Sequence, residues 1–491
     1  MKTCLIESTK ISRRSFLQAL GVLTLSGSLA ACGGTGKAKS DRLAAGSLAY
    51  TPDEVVTVEF SDGGITVSPE DAAGLAVEGT ALSVSGAGVY ALSGNCADGS
   101  VKVEAQTEDV VLLLDGLTLT SADTAPIVCG ESTGVTIAVV DGTENTLTDS
   151  EANDPDNAAD NENAEKAVVK CKDGSQVVLC GGGALTVNAR GKNGIKSGTA
   201  LDDRDASLTI RELTLNIEAL VNDAINAEQR LRVESGNLTI AAGEDAIHCD
   251  MELNIGAEGT TGPAITVSTC CEGLEGAVLN IHSGNMDITS TDDCLNAANS
   301  DLGNYAFEMN ISGGTIKAYS SGGDGFDSNG TLTITGGDIS VWTASTADNQ
   351  PLDADGRITI SGGTVLAAGG SAGMGFSISA SQPYVTFGGG RDSSLSLAGG
   401  EAFSIADESG KSVLDSTALC DAAFLFYSSP ALTAEGRYSV QSTVTATAKT
   451  GEADPQFGGN GGPGGSGQLP QGQPPQSDGT TPPELPAASS N

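Results

Sequence analysis

Asp223-Ala224-Ile225-Asn226, Asp245-Ala246-Ile247, Glu272-Gly273-Leu274-Glu275, Asp293-Cys294-Leu295-Asn296 and Asp324-Gly325-Phe326-Asp327 are five versions of one phrase. Each has an acidic residue, a small residue and an apolar residue, and most add a second oxygen-bearing side chain. Asn193-Gly194-Ile195 begins the series, and successive apolar positions lie 30, 22, 27, 21 and 31 residues apart. Recurrence on this scale marks a repeat architecture. A second marker precedes strand-like runs: Ser235-Gly236-Asn237, Ser283-Gly284-Asn285, Ser312-Gly313-Gly314, Thr335-Gly336-Gly337 and Ser361-Gly362-Gly363. Each repeat therefore holds at least a strand, a glycine turn, another strand and an acidic turn. This predicts an all-β fold, a right-handed parallel β-helix (solenoid), in which each repeat pairs with the next and inward aliphatic residues stack into one core.

Composition agrees. Sixty-six glycines and only 4% aromatic residues, with many Val, Ile, Thr and Ser, suit short strands joined by tight turns. Upstream of the clear repeats, Val110-Val111-Leu112-Leu113-Leu114-Asp115-Gly116 is continuously apolar, as in a parallel strand buried on both faces. Residues 148–165 interrupt the pattern with an acidic stretch, expected to be a solvated loop. The repeat fades after Gly373, and residues 382–449 are expected to form an irregular C-terminal cap over the open sheet edge. Residues 450–491 are rich in Gly, Pro, Gln and Ser, which predicts a disordered tail.

The N-terminal residues carry an export signal. Arg13 and Arg14 lie in Ser12-Arg13-Arg14-Ser15-Phe16-Leu17, ahead of an apolar run and Leu29-Ala30-Ala31-Cys32. This reads as a twin-arginine signal ending in a lipobox, with Cys32 as the acylated residue; an ordinary cleaved signal is the alternative. The expected division is 1–31 signal peptide, 32–50 linker, 51–449 β-helix and 450–491 tail. The protein would sit on the outer face of the cell membrane, held through its lipid anchor only. A net charge of −39 speaks against nucleic acid as a partner and favours cations, or acidic polymers reached through them. Nothing suggests association beyond a monomer. Of eleven cysteines, Cys249, Cys270, Cys271 and Cys294 fall near the repeat turns and read as small buried hydrophobes, since close Cys-x-x-Cys pairs are missing.

Equivalent positions on paired parallel strands lie about 4.8 Å apart. Carboxylates that close repel each other unless a proton or a cation intervenes. Calcium takes six to eight oxygens in flexible geometry, whereas magnesium demands a tight octahedron. The candidate calcium ligands are therefore Asp223, Asn226, Asp245, Glu272, Glu275, Asp293, Asn296, Asp324 and Asp327, with Asp292 and Asp353 as outer members. The competing role for any one of them is an Asx turn at a corner of the chain.

Signals for catalysis are thin. The two histidines, His248 and His282, read as packing or surface residues, and no G-x-S-x-G, H-E-x-x-H or P-loop string occurs. For sugar binding, Tyr319 and Trp342 are the candidate stacking residues, with Tyr305 and Phe307 just before them.

Four further strings carry a resemblance. Gly88-Val89-Tyr90-Ala91-Leu92-Ser93-Gly94, the run Val110 to Gly116, Gly142-Thr143-Glu144-Asn145-Thr146-Leu147-Thr148-Asp149 and Gly191-Lys192-Asn193-Gly194-Ile195-Lys196-Ser197 make the chain similar to the bacterial carbohydrate-binding domain-containing family. The similarity spans about Glu54 to Ala368, and Gly142 to Asp149 is its most specific part. The resemblance implies a calcium-binding parallel β-helix, related in architecture to pectate lyases, with cellulose and polygalacturonate as ligands. It implies calcium ligands at Asp223, Asp245, Asp293 and Asp324, and the chain departs from the pattern at Asn193 and at Cys271-Glu272. The expected function is a cell-surface lipoprotein that binds an acidic or β-linked polysaccharide with calcium. A calcium-dependent polysaccharide lyase and a structural surface protein without a sugar ligand are the alternatives.

Overall fold

The computed structural model describes residues 43–452 apart from 157, 304, 345–348, 370–377 and 390–394. Arg13, Arg14, Cys32 and the tail from residue 453 onward lie outside the described residues. Among the described residues the chain is all-β, and the only helical turns are Pro52–Glu54 and Glu151–Asn153. No helix among them is long and apolar enough to cross a membrane. One sheet holds 34 strands, and two smaller sheets hold two and four.

Most neighbours in the large sheet pair in parallel, and the register carries like residues onto like. One row runs Val169, Ile195, Ile225, Ile247, Leu274, Leu295 and Phe326, and is extended to Leu352 by a parallel bridge. A second runs Leu208, Leu231, Leu253, Leu279, Met309, Leu332, Ile358 and Ile378. A third runs Leu185, Leu215, Leu238, Ile265, Met286, Ile316, Ile339 and Val365. All of these side chains are buried and belong to one core cluster. Side chains alternate along a strand, so a slip of one residue would turn a whole row outward; the register is fixed by burial. Each fully buried aliphatic side chain contributes on the order of 2 kcal/mol.

The glycine turns are required by close stacking. Gly314, Gly337 and Gly363 have φ of 91°, 97° and 80°, and a Cβ on each would lie 2.6–3.1 Å from a carbonyl oxygen of the preceding turn. The Gly142–Asp149 string has a polar role of its own. Asn145 is buried in register with Leu185, where its Oδ1 accepts from Leu117 N–H at 2.8 Å and its Nδ2 donates to Thr143 Oγ1 at 3.0 Å. Asp149 accepts from the Arg190 and Gly191 N–H groups and from Asn153 Nδ2. The acidic stretch 148–165 is therefore not simply solvated: Asp149, Asn153 and Asp154 are buried, and the loop is tied to the sheet.

Both ends of the repeat region differ from expectation. Residues 43–50, placed in the linker, form a hairpin of Leu43–Ala45 and Leu48–Tyr50, with Gly46 N–H donating to Asp141 Oδ1 at 2.7 Å and Ser47 N–H to Glu212 Oε2 at 2.8 Å. Residues 450–452, placed in the tail, belong to the strand Lys449–Glu452, which pairs antiparallel with Ile378–Gly388. The C-terminal cap is regular in part. Phe424–Ser428 pairs antiparallel with both Thr364–Gly369 and Ile378–Gly388, so its own backbone covers an edge of each. Ala402–Asp407, Ser412–Thr417, Arg437–Val440 and Val444–Thr447 make the separate antiparallel sheet. Cys249, Cys270 and Cys294 are free thiols buried in the core, as their small apolar character suggests. Cys271 is buried as well.

Candidate functional site

The first apolar row fixes the site. Two residues before its members from Ile195 onward stand Asn193, Asp223, Asp245, Glu272, Asp293, Asp324 and Gln350; one residue after them stand Lys196, Asn226, His248, Glu275, Asn296, Asp327 and Asp353. Side chains at odd spacing from a buried residue point the other way, and the turn before the strand brings the leading acid close to it. The residue between must be small: a Cβ on Gly273 would lie 2.2 Å from Cys294 O, and one on Gly325 would lie 2.4 Å from Pro351 O.

In three steps of the ladder a carboxylate oxygen anchors the next pass of chain. Asp245 N–H donates to Asp223 Oδ1 at 3.1 Å, Asp324 N–H to Asp293 Oδ1 at 2.6 Å, and Gln350 N–H to Asp324 Oδ1. These are the corner roles expected of Asp in turns, and they use one oxygen of each carboxylate. Asp223 spends its other oxygen on Asn226 Nδ2 at 2.7 Å, so that pair is internally satisfied.

Charge is distributed unevenly along the ladder. In its first half, Lys196 Nζ donates to Asn226 Oδ1 at 2.7 Å and pairs with Glu228 at 2.9 Å. His248 then sits among three carboxylates: Nδ1 is 3.1 Å from Asp245 Oδ2 and 2.8 Å from Glu275 Oε2, and Nε2 is 2.8 Å from Asp250 Oδ1. Burial opposes charge on this ring, yet the hydrogen bonds to Asp245, Asp250 and Glu275 hold its pKa well above the ordinary value. In the second half, among the described residues, no Lys, Arg or His pairs with Asp293, Asp324, Asp327 or Asp353.

Burial is the main reason these acids resist ionisation, and neighbouring charge adds to it. Asp293 is pushed up to about 9, with Asp327, Asp292 and Glu272 contributing repulsion. Asp324 rises to about 7 and Asp327 to about 6, both with Asp353 as a neighbour. Glu272 rises to about 7, although Asn296 Nδ2 donates to it at 2.8 Å. Asp353 is raised by burial, with Asp355 adding to it.

Two sets of side chains bring one ligand atom each to within 4.8 Å of one another: Asp324, Asp327 and Asp353, and Asp245, His248 and Glu275. The first contains only residues expected as ligands. Asp292 lies near enough to raise the pKa of Glu272, Asp293, Asp324 and Asp327. Beside the ladder are two buried amide oxygens, Asn296 Oδ1 and Gln350 Oε1, with no hydrogen-bond partner among the described residues. Sequence reasoning missed His248 as a member, along with Asp250, Gln350 and Asp355. Only the Asp353-Ala354-Asp355 alternation hinted at the last of these.

The sugar-stacking expectation fails at Trp342. It is fully buried, donates from Nε1 to Ser340 Oγ at 3.0 Å and meets Phe403 of the cap edge-on at 6.0 Å. Its strand places it on the outer side, opposite Val341, and the cap covers that side. Tyr319, its register partner, packs against the same cluster and keeps only part of its surface. Tyr305, 38% exposed and 5.6 Å from the Phe307 ring, is the more accessible aromatic. A separate cleft of about 400 Å³ is lined by Arg232, Glu234, Asn254, Glu258 and His282.

A polysaccharide lyase-like protein from C. thermocellum, solved as a gadolinium derivative, aligns with 62% of this chain and 96% of its own at 23% identity and a TM-score of 0.33. A carbohydrate-binding domain-containing protein of Acetivibrio thermocellus is 29% identical over 202 residues, 41% of this chain and 66% of that protein, so the match spans just under two thirds of the relative. The family model for the carbohydrate-binding domain-containing protein matches residues 78–373, more than half of the sequence. The chain belongs to the carbohydrate-binding domain-containing family.

Proposed function

We propose that this chain is a surface lipoprotein whose right-handed parallel β-helix binds polysaccharide with the help of calcium. The β-helix reading rests on three buried rows that repeat in parallel register every 20 to 31 residues. Export through Arg13-Arg14 and acylation at Cys32 rest on the sequence motif. Polysaccharide as the partner rests on the family.

The observation that carries calcium is the Asp324, Asp327 and Asp353 cluster beside the unpartnered Gln350 Oε1, with no protein cation paired to it among the described residues. Oxygens bound to a common calcium at about 2.4 Å lie up to about 4.8 Å apart, which accommodates these three. Hard oxygen donors of this number suit calcium, and magnesium would require a tighter octahedron. Asp324, Asp327, Asp353 and Gln350 would hold the ion; Asp292 and Asp293 would add negative charge around it. Bound calcium would neutralise the carboxylates and offer open coordination positions to the carboxylates or hydroxyls of an acidic polymer.

Incubation of the exported form with polygalacturonate, with and without calcium, tests the function. Calcium-dependent pull-down without new absorbance from unsaturated uronate is the expected outcome. Such absorbance would identify a lyase instead, and neither pull-down nor absorbance would leave a structural role. Asp324→Asn with Asp327→Asn is expected to remove both calcium binding and the pull-down.

A further inference from the structure

We propose that Asp245, His248 and Glu275 form a site for one divalent first-row transition ion of the zinc class, separate from the calcium cluster. The ladder otherwise offers oxygen donors, and His248 alone presents an imidazole within it. Imidazole nitrogen suits zinc and its neighbours, whereas calcium takes oxygen.

The geometry is that of ligands around a small ion. His248 Nδ1 stands 3.1 Å from Asp245 Oδ2 and 2.8 Å from Glu275 Oε2. Ligand atoms bonded to zinc at about 2.0–2.2 Å lie roughly 3–3.5 Å from one another, so an ion enters with small adjustments of these side chains. The far nitrogen is already oriented: Nε2 meets Asp250 Oδ1 at 2.8 Å, the carboxylate–histidine–metal arrangement that fixes the tautomer and directs Nδ1 at the ion. The His248, Asp245 and Glu275 side chains are 21%, 13% and 14% exposed, which leaves a path for the ion and for water ligands.

An independent feature points to the same place. Asn296 is the register partner of Glu275 on the next pass, is 7% exposed, and has an Oδ1 that no donor among the described residues reaches. A cation held by Glu275 gives that oxygen a partner. The competing occupant is a proton, with a charged His248 bridging the carboxylates by itself.

Chelator-treated full chain, dialysed against micromolar zinc chloride in millimolar calcium chloride, decides between them by elemental analysis. One equivalent of zinc is expected. It is lost in His248→Lys, whose ammonium keeps a cation among the carboxylates, and kept in His282→Ala and in Asp324→Asn with Asp327→Asn. In the wild-type chain, nitrogen NMR of the two histidines should show one ring shifted by zinc at Nδ1. Absence of bound zinc under excess calcium, retention by His248→Lys, or a zinc-induced shift at His282 alone overturns the proposal. Zinc bound at one equivalent by a chain that takes up no calcium would refute the calcium reading and leave this one standing.

Discussion

Two stretches of the same acidic ladder solve the same electrostatic problem differently. At Asp245 and Glu275 the chain places an imidazole, His248, bonded on both ring nitrogens. At Asp324, Asp327 and Asp353 it supplies none among the described residues, and burial drives the carboxyls toward the protonated form. Backbone, register and turn geometry are shared, so one residue per repeat decides whether a stack of acids is bridged by a ring nitrogen or made of oxygens alone. Position 248 carries a ring nitrogen where 327 and 353 carry carboxylates.

Calcium removal should separate the two stretches most. A ligand present at 100 times its dissociation constant contributes about 2.7 kcal/mol of stability. In zinc-free buffer, chelation should therefore lower the melting temperature of a folded region this large by about 3 °C, and Asp324→Asn with Asp327→Asn should make melting indifferent to chelator. Indifference of the wild-type chain would remove the calcium reading. His248→Ala should come next, at about 2 kcal/mol. That is below the roughly 3–5 kcal/mol for breaking a fully buried pair, because the cluster is partly exposed. Equal melting of His248→Ala and wild type in chelator would mean that the ring holds nothing together.

The pH dependence sharpens the contrast further. Carboxyls raised in the folded chain to about 7 at Asp324, about 6 at Asp327 and about 9 at Asp293 bind more protons folded than unfolded between pH 4 and 9. Stability of the calcium-free chain should therefore fall as pH rises through that window, by a few degrees of melting temperature, and calcium should flatten the trend. A calcium-free chain that gains stability on going from pH 5 to 8 contradicts this. The smallest effect is a change of sign: Asp327→Asn should raise stability by about 1 kcal/mol in chelator, where it relieves repulsion, and lower it in calcium, where it removes a ligand. Melts of the two proteins in both buffers measure it.

The repeat was legible because its spacing is written in local chemistry. Asp, small residue and apolar residue mark each acidic corner, and Gly314, Gly337 and Gly363 mark corners where positive φ and close stacking admit little else. The Asp324 and Asp327 members of the site followed from the same phrase. His248 did not, because its partners are made by register: Glu275 is 27 residues away, and Asp250 lies where the register shifts between Cys249 and Glu252. Trp342 was misjudged for a related reason. Strand alternation places it outward, and only the fold of residues 402–427 over that side turns an outer position into an inner one.

The sequence by itself determined that this chain is all-β, where its corners fall, and that acidic oxygens recur beside one apolar row, since turn chemistry and alternation act over a few residues. The tertiary structure decided which acids meet, which of them have a cation at hand, and which aromatic surface is covered. Those outcomes depend on distances of a few ångströms between residues that lie 20 to 80 apart in the chain, set by strand register and by the packing of the cap.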